Sequence, residues 1–175
     1  LAEIVKTGQV HNIGVSNFSK KKLQEILANC RIKPAVNQVE LHPYLQQPDL
    51  KKFCDEQGIH LTAYSPLGSM GRSEGMKSAD EIPVLQDDTI AAIAQKHDAS
   101  PAQVLLSWGL ARGISVIPKS VSTERQLQNL KAAELELSEE DMAQIAALDK
   151  HARYVSGDFW CVGDSPYTIE ELWDE

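Results

Sequence analysis

The stretch IPKSVSTERQLQN (117–129) concentrates groups that bind an anion. Lys119 closes a predicted strand, and Ser120, Ser122 and Thr123 carry hydroxyls just ahead of a predicted helix. Arg125 falls in that helix's first turn, with Asn129 one turn further on. The first N–H groups of a helix lack intrahelical partners and sit at the positive end of its dipole, so they attract negative charge. Lys and Arg add full charges, and a guanidinium can grip a phosphate through two parallel hydrogen bonds. A basic residue in a first turn opposes the dipole, so its presence asks for a reason. A solvated basic residue is the ordinary alternative, and the clustered hydroxyls speak against it. The chemistry expected here is phosphate binding.

Other polar residues fall at the carboxyl ends of predicted strands: Ser16-Asn17, Asn37-Gln38 with Glu40, Tyr64-Ser65 and Lys119-Ser120. In parallel α/β folds this is the end where sites are built. The amides of Asn17 and Gln38 donate and accept together, which suits a ligand carboxamide. Tyr64 offers a flat ring with a polar tip. Singly, Asn17 reads as a loop residue, Gln38 as a satisfied core amide and Tyr64 as packing; as a set they form a ligand-binding face. His42, beside a proline after a strand, reads as structural. The five histidines and three cysteines show no metal-ligand spacing, so no metal site is expected. Glu3, Glu25, Glu56, Glu134 and the acidic run 139–141 read as solvated helix faces. Five of the ten aromatics (Tyr154, Phe159, Trp160, Tyr167, Trp173) crowd into residues 151–175. Such a segment can fold over a pocket mouth, and Trp160 is expected to line it; docking on the exterior is an equal reading for Trp173.

The elements that must hold these groups alternate. LAEIVKTG opens as a helix stopped by Gly8, and VHNIGV (10–15) is a β-branched run followed by a helix from about Ser19. Residues 35–41 form a second strand, Pro48-Asp49 start a helix running to Gly58, and 59–65 form a third strand. Residues 66–83 read as a long polar loop, followed by two helices. The second opens on Ser100-Pro101-Ala102-Gln103, a capping box with proline at the first helical position. Gly113 ends it, 114–120 form a fourth strand, Thr123 with Gln126 caps the next helix, and Ser138 starts one reaching about Leu148. Residues 151–175 lack periodicity and read as a tail. Four strands with helical crossovers imply a parallel sheet. A (β/α)8 barrel needs about 250 residues, so the pattern reads as the C-terminal half of one, over residues 1–150. A small doubly wound open sheet is the alternative, and no strand is followed by the G-x-G-x-x-G turn that such a dinucleotide-binding sheet would carry.

Composition sets the class. The chain has 175 residues, 17 Lys+Arg against 25 Asp+Glu for a net charge of −8, and 42% hydrophobic residues. That is ordinary for a globular domain able to bury a core. The acidic balance argues against nucleic acid or an anionic membrane surface as partner. No run approaches the length of a membrane span and no signal-peptide pattern opens the chain. Three widely spaced cysteines suit a reducing compartment, so a cytoplasmic location is expected. The chain opens on Leu1 within a helical pattern, so residues of a longer protein are expected upstream.

NIGVSNF (12–18), PAVNQVELHPYL (34–45), LTAYSPLGS (61–69) and IPKSVSTERQLQN (117–129) resemble the aldo-keto reductases, most of all the fungal and aldose-reductase-like members. The resemblance covers nearly the whole chain, and four motifs in order are far more specific than any one. It implies a (β/α)8 barrel that binds NADPH without a Rossmann fold and reduces aldehydes or ketones to alcohols. It further implies that Ser16, Asn17 and Gln38 hold the nicotinamide carboxamide and that Tyr64 stacks on the nicotinamide ring. Ser65, Leu67 and Ser69 would lie along the pyrophosphate. Lys119, Ser120, Ser122 and Arg125 would bind the 2′-phosphate with Val121 in backbone contact, and Gln128 and Asn129 would face the adenine. The aromatic tail 151–175, with Trp160, matches the family's variable substrate-specificity segment.

The family's catalytic Asp, Tyr, Lys and His come from its first four strands, and none of those motifs is present here. The resemblance therefore implies the cofactor-binding half of a reductase, with no catalytic residue in this chain and little or no activity of its own. Such a half would need its N-terminal half or a pairing subunit to close the barrel. A non-catalytic, truncated nucleotide-binding or subunit-pairing protein is the alternative.

Overall fold

The computed structural model describes residues 1–77 and 81–174. Residues 78–80 of the expected 66–83 loop, and Glu175 at the end of the expected tail, lie outside the described residues. The elements run α1 (Ala2–Lys6), β1 (Gly14–Ser16), α2 (Lys20–Asn29), β2 (Val36–Glu40), α3 (Pro48–Gln57), β3 (His60–Tyr64), α4 (Asp88–Lys96), α5 (Pro101–Ala111), β4 (Ser115–Val116), α6 (Thr123–Lys131), α7 (Glu139–Ala146) and α8 (Ile169–Trp173). Four parallel strands lie in one sheet in the order β1-β2-β3-β4, with helices between them in sequence. β1 is in register with β2, Gly14 opposite Val36 and Ser16 opposite Gln38. This is the α/β arrangement the sequence predicts.

The chain divides into two compact units, and β2 and β3 each contribute to both. The first comprises Leu1–Val39, Gln47–Thr62 and Ser156–Glu175. Here Ser19 Oγ caps α2 by accepting the Lys22 N–H at 3.1 Å, and Leu23 one turn on is fully buried. Asp174 accepts from Ser19 Oγ at 2.5 Å and Lys22 Nζ at 2.8 Å, which ties the end of α8 to the start of α2. Those two donors, Lys22 first, hold the Asp174 carboxyl well below the usual range. Cys54 is buried, and burial pushes its thiol up to about 11, which makes it a packing group rather than a nucleophile.

The second unit comprises Glu40–Gln46 and Ala63–Val155. Its centre is α5, on which Val104, Leu105, Leu106, Ser107, Trp108 and Gly109 are all buried. A polar group on a helix enclosed nearly all round needs a partner, and Ser107 Oγ donates to the Leu135 carbonyl at 2.5 Å. The predicted capping box of Ser100 and Gln103 is formed. A Cβ on Gly109 would come within 2.8 Å of Val116 Cγ1, so the absent side chain lets α5 lie close against β4.

Several expected boundaries move. The first strand is Gly14–Ser16 rather than 10–15: the ladder register with β2 starts at Gly14, and His11 and Asn12 are exposed. The fourth strand is Ser115–Val116 rather than 114–120; Pro118 lacks an N–H to extend a ladder, although Ile117 still donates to the Ala63 carbonyl at 3.2 Å. Ser122, not Thr123, caps α6, and Gln126 reaches back to the Ser120 carbonyl at 2.9 Å. The 66–83 loop contains a 3-10 turn at Glu74–Met76. The tail is not structureless: it holds a 3-10 turn at Asp158–Trp160 and α8, with a capping box between Thr168 and Glu171. Five residues are too few to show a helical period. Within the acidic run 139–141, Asp141 is buried rather than solvated. It completes a capping box with Ser138 and accepts from Lys96 Nζ and His97 Nε2, each at 2.8 Å.

Candidate functional site

The second unit contains a cavity of about 720 Å³, within the range of small-molecule sites. Its first wall is the segment after β3, Ser65–Gly71; its second is the run Ile117–Ser122 with Arg125, Gln128 and Asn129 of α6; Leu85 and Ser100–Ala102 complete the lining. Ten residues named from the sequence meet here: Ser65, Leu67, Ser69, Lys119, Ser120, Val121, Ser122, Arg125, Gln128 and Asn129. They come from segments about fifty residues apart in the chain. Parallel neighbours β3 and β4 bring their carboxyl ends together, and both walls begin at those ends.

The second wall is shaped by its own side chains. Ser122 Oγ accepts the Arg125 N–H at 3.4 Å as the α6 cap, and Ser120 Oγ accepts the Ser122 N–H at 3.2 Å. These bonds fold residues 120–122 into a turn ahead of the helix, whose first turn brings Arg125 to the cavity beside Lys119, both exposed. Two cations, two hydroxyls and a helix N-terminus on one wall make a donor set suited to a phosphate. The first wall depends on positive backbone φ at Ser65 (50°) and Gly68 (70°), with the Gly68 N–H donating to the Ser65 carbonyl at 2.9 Å. The glycine has a steric reason as well: a Cβ there would lie 3.1 Å from the Tyr154 ring and 3.1 Å from Val84.

The remaining residues named from the sequence lie elsewhere. In the first unit, Ser16 Oγ and the Asn17 N–H both donate to the Gln38 main-chain carbonyl at 2.9 Å, which brings together the three residues expected at a carboxamide. Asn17 has a φ of 57°, and its buried Oδ1 has no hydrogen-bond partner among the described residues. An orphaned amide oxygen fits a ligand N–H donor such as a carboxamide. Asn37 is a clamp instead: its side chain accepts from the Phe18 N–H and donates to the Phe18 carbonyl. Tyr64, in the second unit, does not line the cavity described above; burial pushes its phenol up to about 12, so it is neutral near pH 7 and a poor proton donor. Trp160 is 45% exposed and packs on Phe159 with ring centroids 4.4 Å apart. Trp173 is buried and donates to the Ser156 carbonyl at 2.6 Å.

Two features were not assigned from the sequence. Leu85, past the end of the 66–83 loop, and Ser100–Ala102, read only as a helix start, reach the cavity. Arg72 is nearly enclosed behind the first wall, and nothing in its local sequence marks it as buried.

Comparison with known proteins agrees with the four sequence motifs. A model of the Aldo/keto reductase family matches residues 1–150. Aldo/keto reductase slr0942 of Synechocystis is 56% identical over 175 residues, covering 100% of this chain and 54% of that protein. The NADPH-dependent D-xylose reductase of Meyerozyma guilliermondii is 43% identical over 156 residues, 88% of this chain and 49% of that protein. Human aldo-keto reductase family 1 member A1 is 42% identical over 155 residues, 89% of this chain and 47% of that protein. The chain thus spans about half the length of the curated relatives it matches. On the match over residues 1–150 and on these identities, the chain belongs to the aldo/keto reductase family.

Proposed function

We propose that this chain forms the cofactor-binding part of an NADPH-dependent carbonyl reductase that converts aldehydes or ketones to alcohols. The observation that carries the proposal is the cavity wall of Lys119, Ser120, Ser122 and Arg125, where cations and hydroxyls gather at the N-terminus of α6. That donor set suits a 2′-phosphate, which distinguishes NADPH from NADH. Val121 adds backbone contact, Gln128 and Asn129 face the adenine, and Ser65, Leu67 and Ser69 lie along the pyrophosphate. Ser16, Asn17 and Gln38 hold the carboxamide, for which the orphaned Asn17 Oδ1 is the supporting observation. Tyr64 stacks on the nicotinamide ring, and Trp160 contacts the substrate. Bound NADPH supplies the hydride.

Carbonyl reduction also needs an acid to protonate the oxygen. With its phenol pushed up to about 12 by burial, Tyr64 does not fill that role. His42 is fully enclosed against Glu40. We assign the acid to neither of them and place it outside these 175 residues, so that the chain by itself would have little or no activity. A cytoplasmic location is part of the same proposal, and no helix among the described residues is long and apolar enough to cross a membrane.

The test is a binding comparison. NADPH is expected to bind with clear preference over NADH, and Lys119→Ala with Arg125→Ala is expected to erase the preference. Unchanged NADPH affinity in the double variant contradicts the assignment. A second reading, a non-catalytic nucleotide-binding or subunit-pairing protein, is favoured by one observation. Among the described residues β1 and β4 each have a single neighbour in the strand order, so each offers an edge on which an N-terminal half or a second subunit could pair. A well-folded monomer by sedimentation at all concentrations counts against pairing.

A further inference from the structure

Arg72 lies just past the cavity's first wall, and its side chain is only 5% exposed. A buried guanidinium needs partners on its fork of N–H donors, and this one has them on several segments. Nε donates to the Ser69 carbonyl at 2.8 Å, and Nη1 donates to the Met76 carbonyl at 3.0 Å and also to the Tyr154 carbonyl. Nη2 pairs with the Glu81 carboxylate. The guanidinium also sits 5.1 Å from the centroid of the Tyr154 ring.

Tyr154 is itself fixed on every side. Its hydroxyl donates to the Ile82 carbonyl and accepts the Val84 N–H, both at 2.9 Å, and its own N–H donates to Glu40 at 2.6 Å. Gly68 lies against its ring, which a Cβ at that position would approach to 3.1 Å. The first cavity wall contains no strand or α-helix of its own, so its position must be set by what it leans on.

We propose that Arg72 is a positioning residue for the cavity. It ties the Ser65–Gly71 wall to Tyr154, and through that tie it holds the wall where the pyrophosphate of a dinucleotide is to be bound. The proposal deepens the cofactor assignment and rests on it for the ligand; the tie itself concerns the chain alone. Arg72 does not touch the ligand. Its effect is preorganisation, so it is felt by a ligand that leans on both walls and not by one that uses the Lys119–Arg125 corner only.

The test uses two probes, NADP⁺ and adenosine 2′-monophosphate, on the full chain and on Arg72→Met, with Arg72→Lys as the conservative variant. NADP⁺ is expected to bind Arg72→Met about tenfold more weakly, with adenosine 2′-monophosphate unchanged and Arg72→Lys between the two. Hydrogen exchange without ligand is expected to rise at residues 66–77 and to stay unchanged in α6. Equal loss for both probes assigns Arg72 to general stability and overturns the proposal. So does unchanged exchange at 66–77 in Arg72→Met. Failure of the unsubstituted chain to bind either probe instead overturns the cofactor assignment, and the exchange comparison still decides the tie. If Arg72→Met does not fold, the exchange of Arg72→Lys decides it by the same criterion.

Discussion

Glu40 Oε1 and His42 Nε2 lie 2.9 Å apart, and neither side chain reaches solvent. The same carboxylate accepts the N–H groups of Tyr154 and Val155 at 2.6 and 2.9 Å. Burial alone would raise the Glu40 pKa, but the His42 bond and those two amides outweigh it and hold the carboxyl below its ordinary value. His42 Nδ1 is buried with no hydrogen-bond partner among the described residues. The end of β2 thus anchors the segment that carries Tyr154. Removing the carboxylate leaves three donors unmet in a closed space. Glu40→Ala is expected to lower unfolding free energy by about 3 kcal/mol, read from urea unfolding, and a midpoint equal to that of the parent chain contradicts the anchoring role.

Asp141 gives the chain an acid-side dependence of stability. Burial acts to raise its pKa, but Lys96, His97 and Ser138 outweigh that and place it well below the carboxylate range. A group whose folded pKa is depressed contributes stability that is fully present above its unfolded value, about 4, and lost as pH falls through the folded one. Glu40 and Asp174 are shifted in the same direction. Urea midpoints are therefore expected to fall as pH is lowered below about 4, and Asp141→Asn is expected to flatten part of that fall. An identical acid slope in the variant argues against Asp141 as a contributor.

Gly68 combines a φ of 70° with close contact to Tyr154 and Val84. Gly68→Ala meets both the left-handed backbone penalty and a steric one, and is expected to cost about 1–2 kcal/mol. It is also expected to weaken NADPH binding, because the wall it belongs to must shift. Calorimetric melting and a cofactor titration on the same sample check both effects, and a variant as stable as its parent contradicts the packing described.

The second wall predicts a separation between stability and binding. Ser122→Ala removes the α6 cap and is expected to cost about 1 kcal/mol. Lys119 and Arg125 are exposed, so Lys119→Ala or Arg125→Ala is expected to change stability by less than about 0.5 kcal/mol. Each is expected to weaken NADPH binding about tenfold, with a shallower dependence on salt. Large stability losses in the Lys119 and Arg125 variants would mean that these side chains hold the fold rather than a ligand.

The alternation of strands and helices, the helix starts at Ser19 and Ser138, the capping box at Ser100, and the polar run at 117–129 that forms one cavity wall were all legible in the sequence, because each rests on a local period or a short spacing. The short reach of β4 was partly legible in Pro118. The burial of Asp141 was not: beside Glu139 and Glu140 it looks like one more solvated charge, and only folding brings Lys96 and His97 to it. Arg72 was hidden for the same reason, since its partner Tyr154 is 82 residues away in the chain. α8 escaped because one turn and a half gives no periodic signal, although its Thr168–Glu171 box was present in the sequence. Local chemistry was readable, while long-range pairing of charges was not.

The most direct measurement is a titration of the chain with NADPH, followed by fluorescence of Trp108, Trp160 and Trp173, with NADH as the control. The cavity wall at Lys119 and Arg125 predicts saturable quenching by NADPH at concentrations where NADH gives little. No response to NADPH, or an equal response to both, contradicts the assignment of this wall to a 2′-phosphate.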